Sequence, residues 1–187
     1  AGLPPPFNLR SLPSGQPVAS WTPSGNGFAY RNFRVSGGGT FVALDHYITG
    51  GRFGTYVRTV QPDAVVYDLP VAETPFMAPG GRLVAILSGS GTTATIRIHR
   101  DGTLVNAIPG DSLVWLDDEQ LLVRALETVN GTLTPRVSLY DAAGALRTLT
   151  PLPGLGIPIG TDRVYMANAI YIIATGARVW TSIFSEA

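Results

Sequence analysis

Short β-forming runs, Gly- and Asp-rich turns between them, and a return of that pattern about every 40 residues predict an all-β chain. The predicted architecture is a series of antiparallel four-stranded, propeller-like blades, forming a small or partial propeller. A β-sandwich is the rival arrangement, because many short strands do not by themselves choose between the two. No long stretch carries the apolar stripe of a helix.

Composition supports an ordered fold. The 187 residues are 45% hydrophobic and 14% charged, with 22 Gly and 15 Pro. A compact chain of this size buries about 70% of its open-chain surface, enough for a core without staples. Thirteen basic groups balance thirteen acidic ones. Zero net charge gives no basis for broad binding to nucleic acid or to an acidic membrane. Cysteine is absent, which excludes thiol nucleophiles, disulfides, Cys-ligated zinc and iron–sulfur clusters. Lysine is absent too, so there is no P-loop lysine and no lysine Schiff base. The apolar runs fall short of the ~18 residues that suggest a spanning helix, so no membrane insertion is expected.

Residues 1–27 read as an extended Pro-rich arm, in which Pro4-Pro5-Pro6, Pro13, Pro17 and Pro23 break any ladder. Phe7, Leu9, Leu12 and Trp21 are the apolar anchors by which such an arm would dock on its own body or on a neighbouring subunit. Residues 28–187 form the β domain. Its first segments run through Phe28, Tyr30 and Phe33, Thr40 to Ile48, Tyr56 to Val60 and Ala64 to Leu69, broken by Gly37 to Gly39, Gly50-Gly51 and Gln61-Pro62-Asp63.

The clearest unit follows. Pro79-Gly80-Gly81 leads into the apolar run Leu83 to Leu87, and Ser88-Gly89-Ser90-Gly91 turns the chain. Thr95, Arg97 and His99 then alternate with Ile96 and Ile98, which places the isoleucines on a core face. Asp101-Gly102 is a two-residue hairpin signal before Thr103 to Ile108, and Pro109-Gly110 closes the unit. The next round is Leu113 to Leu116, Gln120 to Leu126, Arg136 to Tyr140 and Leu146 to Leu149, with turns at Asp117 to Glu119, Asn130-Gly131 and Asp141 to Gly144. Pro109-Gly110 and Pro153-Gly154 stand ~44 residues apart, and the turns opening at Asp101 and Asp141 ~40 apart. A third round comprises Arg163 to Met166, Ala169 to Ala174 and Ala177 to Phe184.

The segment Phe76 to Ile86, with its Pro79-Gly80-Gly81 turn before a buried strand, resembles the blade opening of TolB-like and WD-like propellers. Trp115 to Val123 resembles the same feature one blade later. The likeness covers roughly residues 74–184. It departs from the usual pattern in lacking Pro-Asp-Gly turns and the Gly-His and Trp-Asp marks of WD repeats. The resemblance implies a scaffold often used for protein contacts, and it implies no reaction.

The inventory of reactive groups is poor. His99 is expected at the surface or partly packed, and His46 points to the opposite face from its neighbour Asp45, so neither makes a ready relay or metal pair. Asp117, Asp118 and Glu119 form the densest acidic group and read as a hairpin tip. Ser88 to Gly91 lacks the Gly-x-Ser-x-Gly elbow of a hydrolase. Trp115 and Trp180 are expected in the core, whereas Trp21 on the arm is the aromatic with no assured place to pack. Asn130-Gly131-Thr132 fits a hairpin turn better than a glycan acceptor.

These features predict a non-catalytic structural or protein-interaction subunit with no catalytic residues, cofactor or metal. Its partner would be another protein or a second copy, in an extracellular, virion or cell-surface assembly. One alternative is a glycan- or small-ligand-binding module built on aromatics such as Trp21, Tyr30, Tyr47, Tyr56 and Tyr67. Another is a carboxylate-dependent hydrolase, which needs two acids facing one cleft.

Overall fold

A computed structural model describes residues 7–10, 14–21, 31–36, 41–48, 52–60, 64–69 and 74–181. The chain divides into two compact units, Ala1–Glu73 and Thr74–Ala187. Its described strands form one two-stranded and four four-stranded sheets, and every pairing is antiparallel. The all-β, blade-built expectation therefore holds.

In the first unit β1 (Phe7–Arg10) pairs with β2 (Pro17–Trp21). A ladder thus forms where the prolines were expected to prevent one. It survives because Pro17 opens its strand, beside the bulge between Leu9 and Arg10, where a missing N–H costs least. The four-stranded sheet runs β3 (Arg31–Val35), β4 (Phe41–Ile48), β5 (Arg52–Thr59) and β6 (Ala64–Leu69), in that order. Val42, Ala43 and Val57 at its centre are fully buried. Leu12, Phe28, Tyr30 and the Gln61-Pro62-Asp63 turn lie outside the described residues.

The second unit holds three consecutive meanders. The first is β7 (Thr74–Met77), β8 (Leu83–Ser88), β9 (Thr95–Arg100) and β10 (Thr103–Pro109). The second is β11 (Ser112–Trp115), β12 (Gln120–Val129), β13 (Thr132–Asp141) and β14 (Leu146–Thr150). The third is β15 (Ile157–Ile159), β16 (Arg163–Met166), β17 (Ala169–Ile172) and β18 (Arg178–Thr181). Each repeats one local bond. The residue just after the third strand donates its N–H to the carbonyl just before the second: Asp101 to Arg82, Ala142 to Glu119, Ile173 to Asp162.

Among the described residues three hairpins turn on two residues with positive φ: Asp101-Gly102 (48°, 84°), Asn130-Gly131 (51°, 78°) and Ala167-Asn168 (46°, 59°). The twist of such turns matches that of the strands they join. The first two are legible from sequence, because Asp, Asn and Gly tolerate this region; Ala167 gives no such signal.

Alternation along the strands divides the core into two layers. Leu121 and Val123 of the middle sheet pack with Ala85, Ile96, Ile98 and Trp115. Leu122, between them in sequence, packs on the other side with Val137, Val164 and Ile173. Each such aliphatic side chain, fully buried, contributes roughly 1.5–3 kcal/mol. The middle sheet is therefore apolar on both faces, with a sheet laid against each.

The two Pro-Gly pairs that mark the repeat do different work. At Gly110 the chain steps from the first meander to the second, and its N–H donates to the Ala94 carbonyl at 3.1 Å. A Cβ there would run into Val123 Cγ1 and lie 2.7 Å from Ile96 Cδ1. Gly154 has open space, and the tight approach falls instead at Gly156, where a Cβ would meet the Tyr165 carbonyl oxygen at 2.6 Å. Gly110→Ala is expected to lower stability by about 1–3 kcal/mol by overpacking. Gly154→Ala should change it by less than about 0.5 kcal/mol. Urea unfolding of the two variants reads the difference, and equal effects would contradict this assignment of the crossing.

Candidate functional site

Side-chain bonds fasten the first meander of the second unit to the next. Trp115 Nε1 donates to the Phe76 carbonyl at 2.8 Å. Asn106 Nδ2 donates to the carbonyls of Ala143 (3.1 Å) and Gly144 (3.3 Å). The Gly80 N–H donates to Asp118 Oδ1 at 2.6 Å, and a Cβ at Gly80 would push that carboxylate aside. Trp115 is buried, as expected of it.

The acidic turn before β12 is the hairpin tip that its sequence suggests, with its carboxylates put to separate uses. Asp117 Oδ1 accepts the N–H groups of Glu119 (2.7 Å) and Gln120 (2.8 Å), folding the turn on itself. Asp118 reaches across to Gly80. Asp141, at the end of β13, accepts the N–H groups of Ala143 (3.0 Å) and Ala145 (2.8 Å) and pairs with Arg147 at 3.0 Å. Asp118, Glu119 and Asp141 line one groove of about 780 Å³ together with Arg100, Gln120, Leu139 and Arg147. Two of its three acids are therefore held by backbone amides. Among the described residues no group of three or more His, Asp or Glu side chains is placed to hold a metal ion.

A second surface lies on the outward side of the last meander. Register aligns one row across each sheet of this unit. In the first, Phe76, Ala85, Ile98 and Asn106 stand abreast; in the second, Val114, Leu122, Leu139 and Thr148; in the third, Ile157, Tyr165, Ile170 and Trp180. The apolar members of the first two rows pack into the layer between their sheet and the next. The third row has Ile157 at 68% exposure and Trp180 at 49%, with the Tyr165 ring 6.4 Å from that of Trp180. Trp180 thus departs from its expected core position. It sits on β18, the outer strand of the sheet, on the face opposite Val164 and Tyr171, which pack inward.

The other singled-out residues fall as follows. Phe7 of β1 stands opposite Trp21 of β2 and Leu9 opposite Ala19, while Leu12 is outside the described residues. His99 is half-buried on β9, and His46 lies in β4 opposite Gly54. Asn130-Gly131 is a hairpin turn. Tyr47, Tyr56 and Tyr67 occupy β4, β5 and β6 in turn, and Tyr30 is outside the described residues.

Four-stranded antiparallel meanders laid face to face define the blades of a propeller-type fold. Among solved structures the chain is similar to the WD40 domain of Neurospora crassa Pan2, at 15% identity and a TM-score of 0.52. The match covers 90% of this chain and 56% of that one, so the chain spans little more than half the length of its relative in fold. No protein-family model matches the sequence, and no curated protein does. Identity this low establishes the fold alone.

Beside the groove, Arg82 Nε donates to Asp101 Oδ1 at 3.0 Å, with a second bond between Arg82 Nη2 and Asp101 Oδ2. The Arg82 hydrogen bonds hold the Asp101 carboxyl below its ordinary value. A depressed folded-state pKa contributes stability above the unfolded carboxyl's pKa and loses it as pH falls through the folded value. Asp101→Asn keeps a residue suited to the positive φ and removes the charge. We expect it to lower the melting temperature slightly at neutral pH, with the difference closing in acid. A difference independent of pH would contradict the ion pair's role.

Proposed function

We propose that this chain is a non-catalytic structural subunit that works by protein contact, meeting a second copy of itself through the row Ile157, Tyr165, Ile170 and Trp180. The observation that carries the proposal is the equivalence of that row with two others in the same unit. Its counterparts Phe76, Ala85 and Ile98, and Val114, Leu122 and Leu139, lie against the following sheet. The same chemistry on the third sheet stays in water, with Ile157 68% and Trp180 49% exposed.

A β surface from another subunit supplies what the following sheet supplies elsewhere. Two copies can present the same face to each other about a two-fold axis, as isologous dimers do. Zero net charge means that approaching copies carry no overall repulsion. An aromatic such as Trp180 is the kind of side chain that dominates such contacts. The anchors Phe7, Leu9, Leu12 and Trp21 provide a second, N-terminal attachment in the same assembly.

Light scattering of the chain across a concentration series tests this. Self-association is expected, and Trp180→Asp should weaken it by about 2 kcal/mol or more, some thirtyfold in Kd, with the β circular dichroism unchanged. A chain that stays monomeric at every concentration, or associates equally well as Trp180→Asp, would overturn the proposed face. Removal of residues 1–27 should also weaken association while leaving the second unit folded. Unchanged association would count against the N-terminal anchors.

A further inference from the structure

The groove between the first two meanders of the second unit has a composition that selects a ligand. Its carboxylates and guanidinium groups divide sharply into those already engaged and those left open. Arg147 holds Asp141, Arg82 on the adjoining rim holds Asp101, and Asp118 accepts the Gly80 N–H. Among the described residues two groups of opposite charge remain with no bond of their own, beside Asp118, whose charge is paired with no cation. Arg100, the last residue of β9, acts on Asp101 only through its field. Among the described residues neither its guanidinium nor the Glu119 carboxylate has a hydrogen bond or ion pair within the chain. Both are exposed, and both line the same groove. Arg100 and Asp118 also line a smaller adjoining hollow of about 290 Å³, together with Gly80, Arg82 and Leu83, so the concave surface continues past Arg100.

We propose that this groove binds a peptide segment of another protein in which an acidic side chain lies near a basic one, the acid on Arg100 and the base on Glu119. The volume, about 780 Å³, is in the usual range for ligand sites. Leu139, Ala142 and Ala143 give an apolar lining for the stems of such side chains, and Gln120 offers a donor and an acceptor for peptide amides. A fork-shaped guanidinium without a partner matches a carboxylate in two parallel bonds. No residue lining the groove is aromatic, so a sugar finds no ring to stack on. The other two arginines at the groove already hold carboxylates, which leaves a single open cation where a phosphate group favours several. The inference rests on the protein-contact reading above for its class of partner, and it uses a different surface.

Selection of a phage-displayed random peptide library on the intact chain, followed by fluorescence anisotropy of the enriched peptides, tests it. Enriched peptides should carry Asp or Glu within a few residues of Lys or Arg. Arg100→Ala should lower their affinity by about tenfold or more, and Glu119→Gln should do the same for peptides that retain the basic residue. Changing the peptide's acid to its amide should cost affinity for the native chain and none for Arg100→Ala. Failure to enrich any peptide, enrichment without an acidic residue, or binding by Arg100→Ala and Glu119→Gln as tight as that of the native chain would overturn the proposal. Circular dichroism checks that each variant is folded, and the two substitutions are independent of one another. Trp180→Asp should bind the peptides normally, and Arg100→Ala should self-associate normally, so the groove and the outward face succeed or fail separately.

Discussion

Apolar packing between successive sheets is the constraint on which the second unit depends. A four-stranded meander has two faces, and each face rich in Ile, Leu and Val must leave water for the unit to be stable. The middle meander satisfies this on both sides: Leu121 and Val123 go one way, Leu122 and Val137 the other. The consequence reaches beyond the fold. The outward face of the last meander repeats the same side-chain row, and the exposure of Ile157 and Trp180 there is what the proposed contact rests on.

Polar fastening fixes how the layers sit once they are packed. The bonds from Trp115 to Phe76, Asn106 to Ala143 and Gly80 to Asp118 all join one sheet to its neighbour. Apolar packing alone is non-directional; these bonds set one alignment of the rows. They also decide which charges at the turn end are available. Asp118 and Asp141 are occupied in building the structure, so the groove's chemical character comes from Arg100 and Glu119. The scaffold and its candidate contact site are thus made from the same turns.

Much of the scaffold was legible because it depends on local patterns. Alternation placed Ile96 and Ile98 in the core, and Asp101-Gly102 and Asn130-Gly131 announced their hairpins. The hairpin at Ala167-Asn168 was silent, since alanine has no preference for that backbone region. Strands β12 and β13 run on to Val129 and from Thr132, further than expected, held by pairing that continues to the Asn130-Gly131 turn. The surfaces were harder to read. Gly80 and Asp118 are 38 residues apart, and no local pattern links a glycine turn to an acid in the next meander. Trp180 looked like core because its strand is apolar, but which face of an outer strand is covered depends on neighbours beyond the strand.

Hydroxyl-radical footprinting of the whole chain at low and high protein concentration measures the central claim at the residues concerned. Trp115, buried between sheets, serves as the internal reference. Oxidation of Trp180 and Tyr165 should fall toward that reference as concentration rises. Trp180 oxidising at one undiminished rate across the whole series would contradict the account.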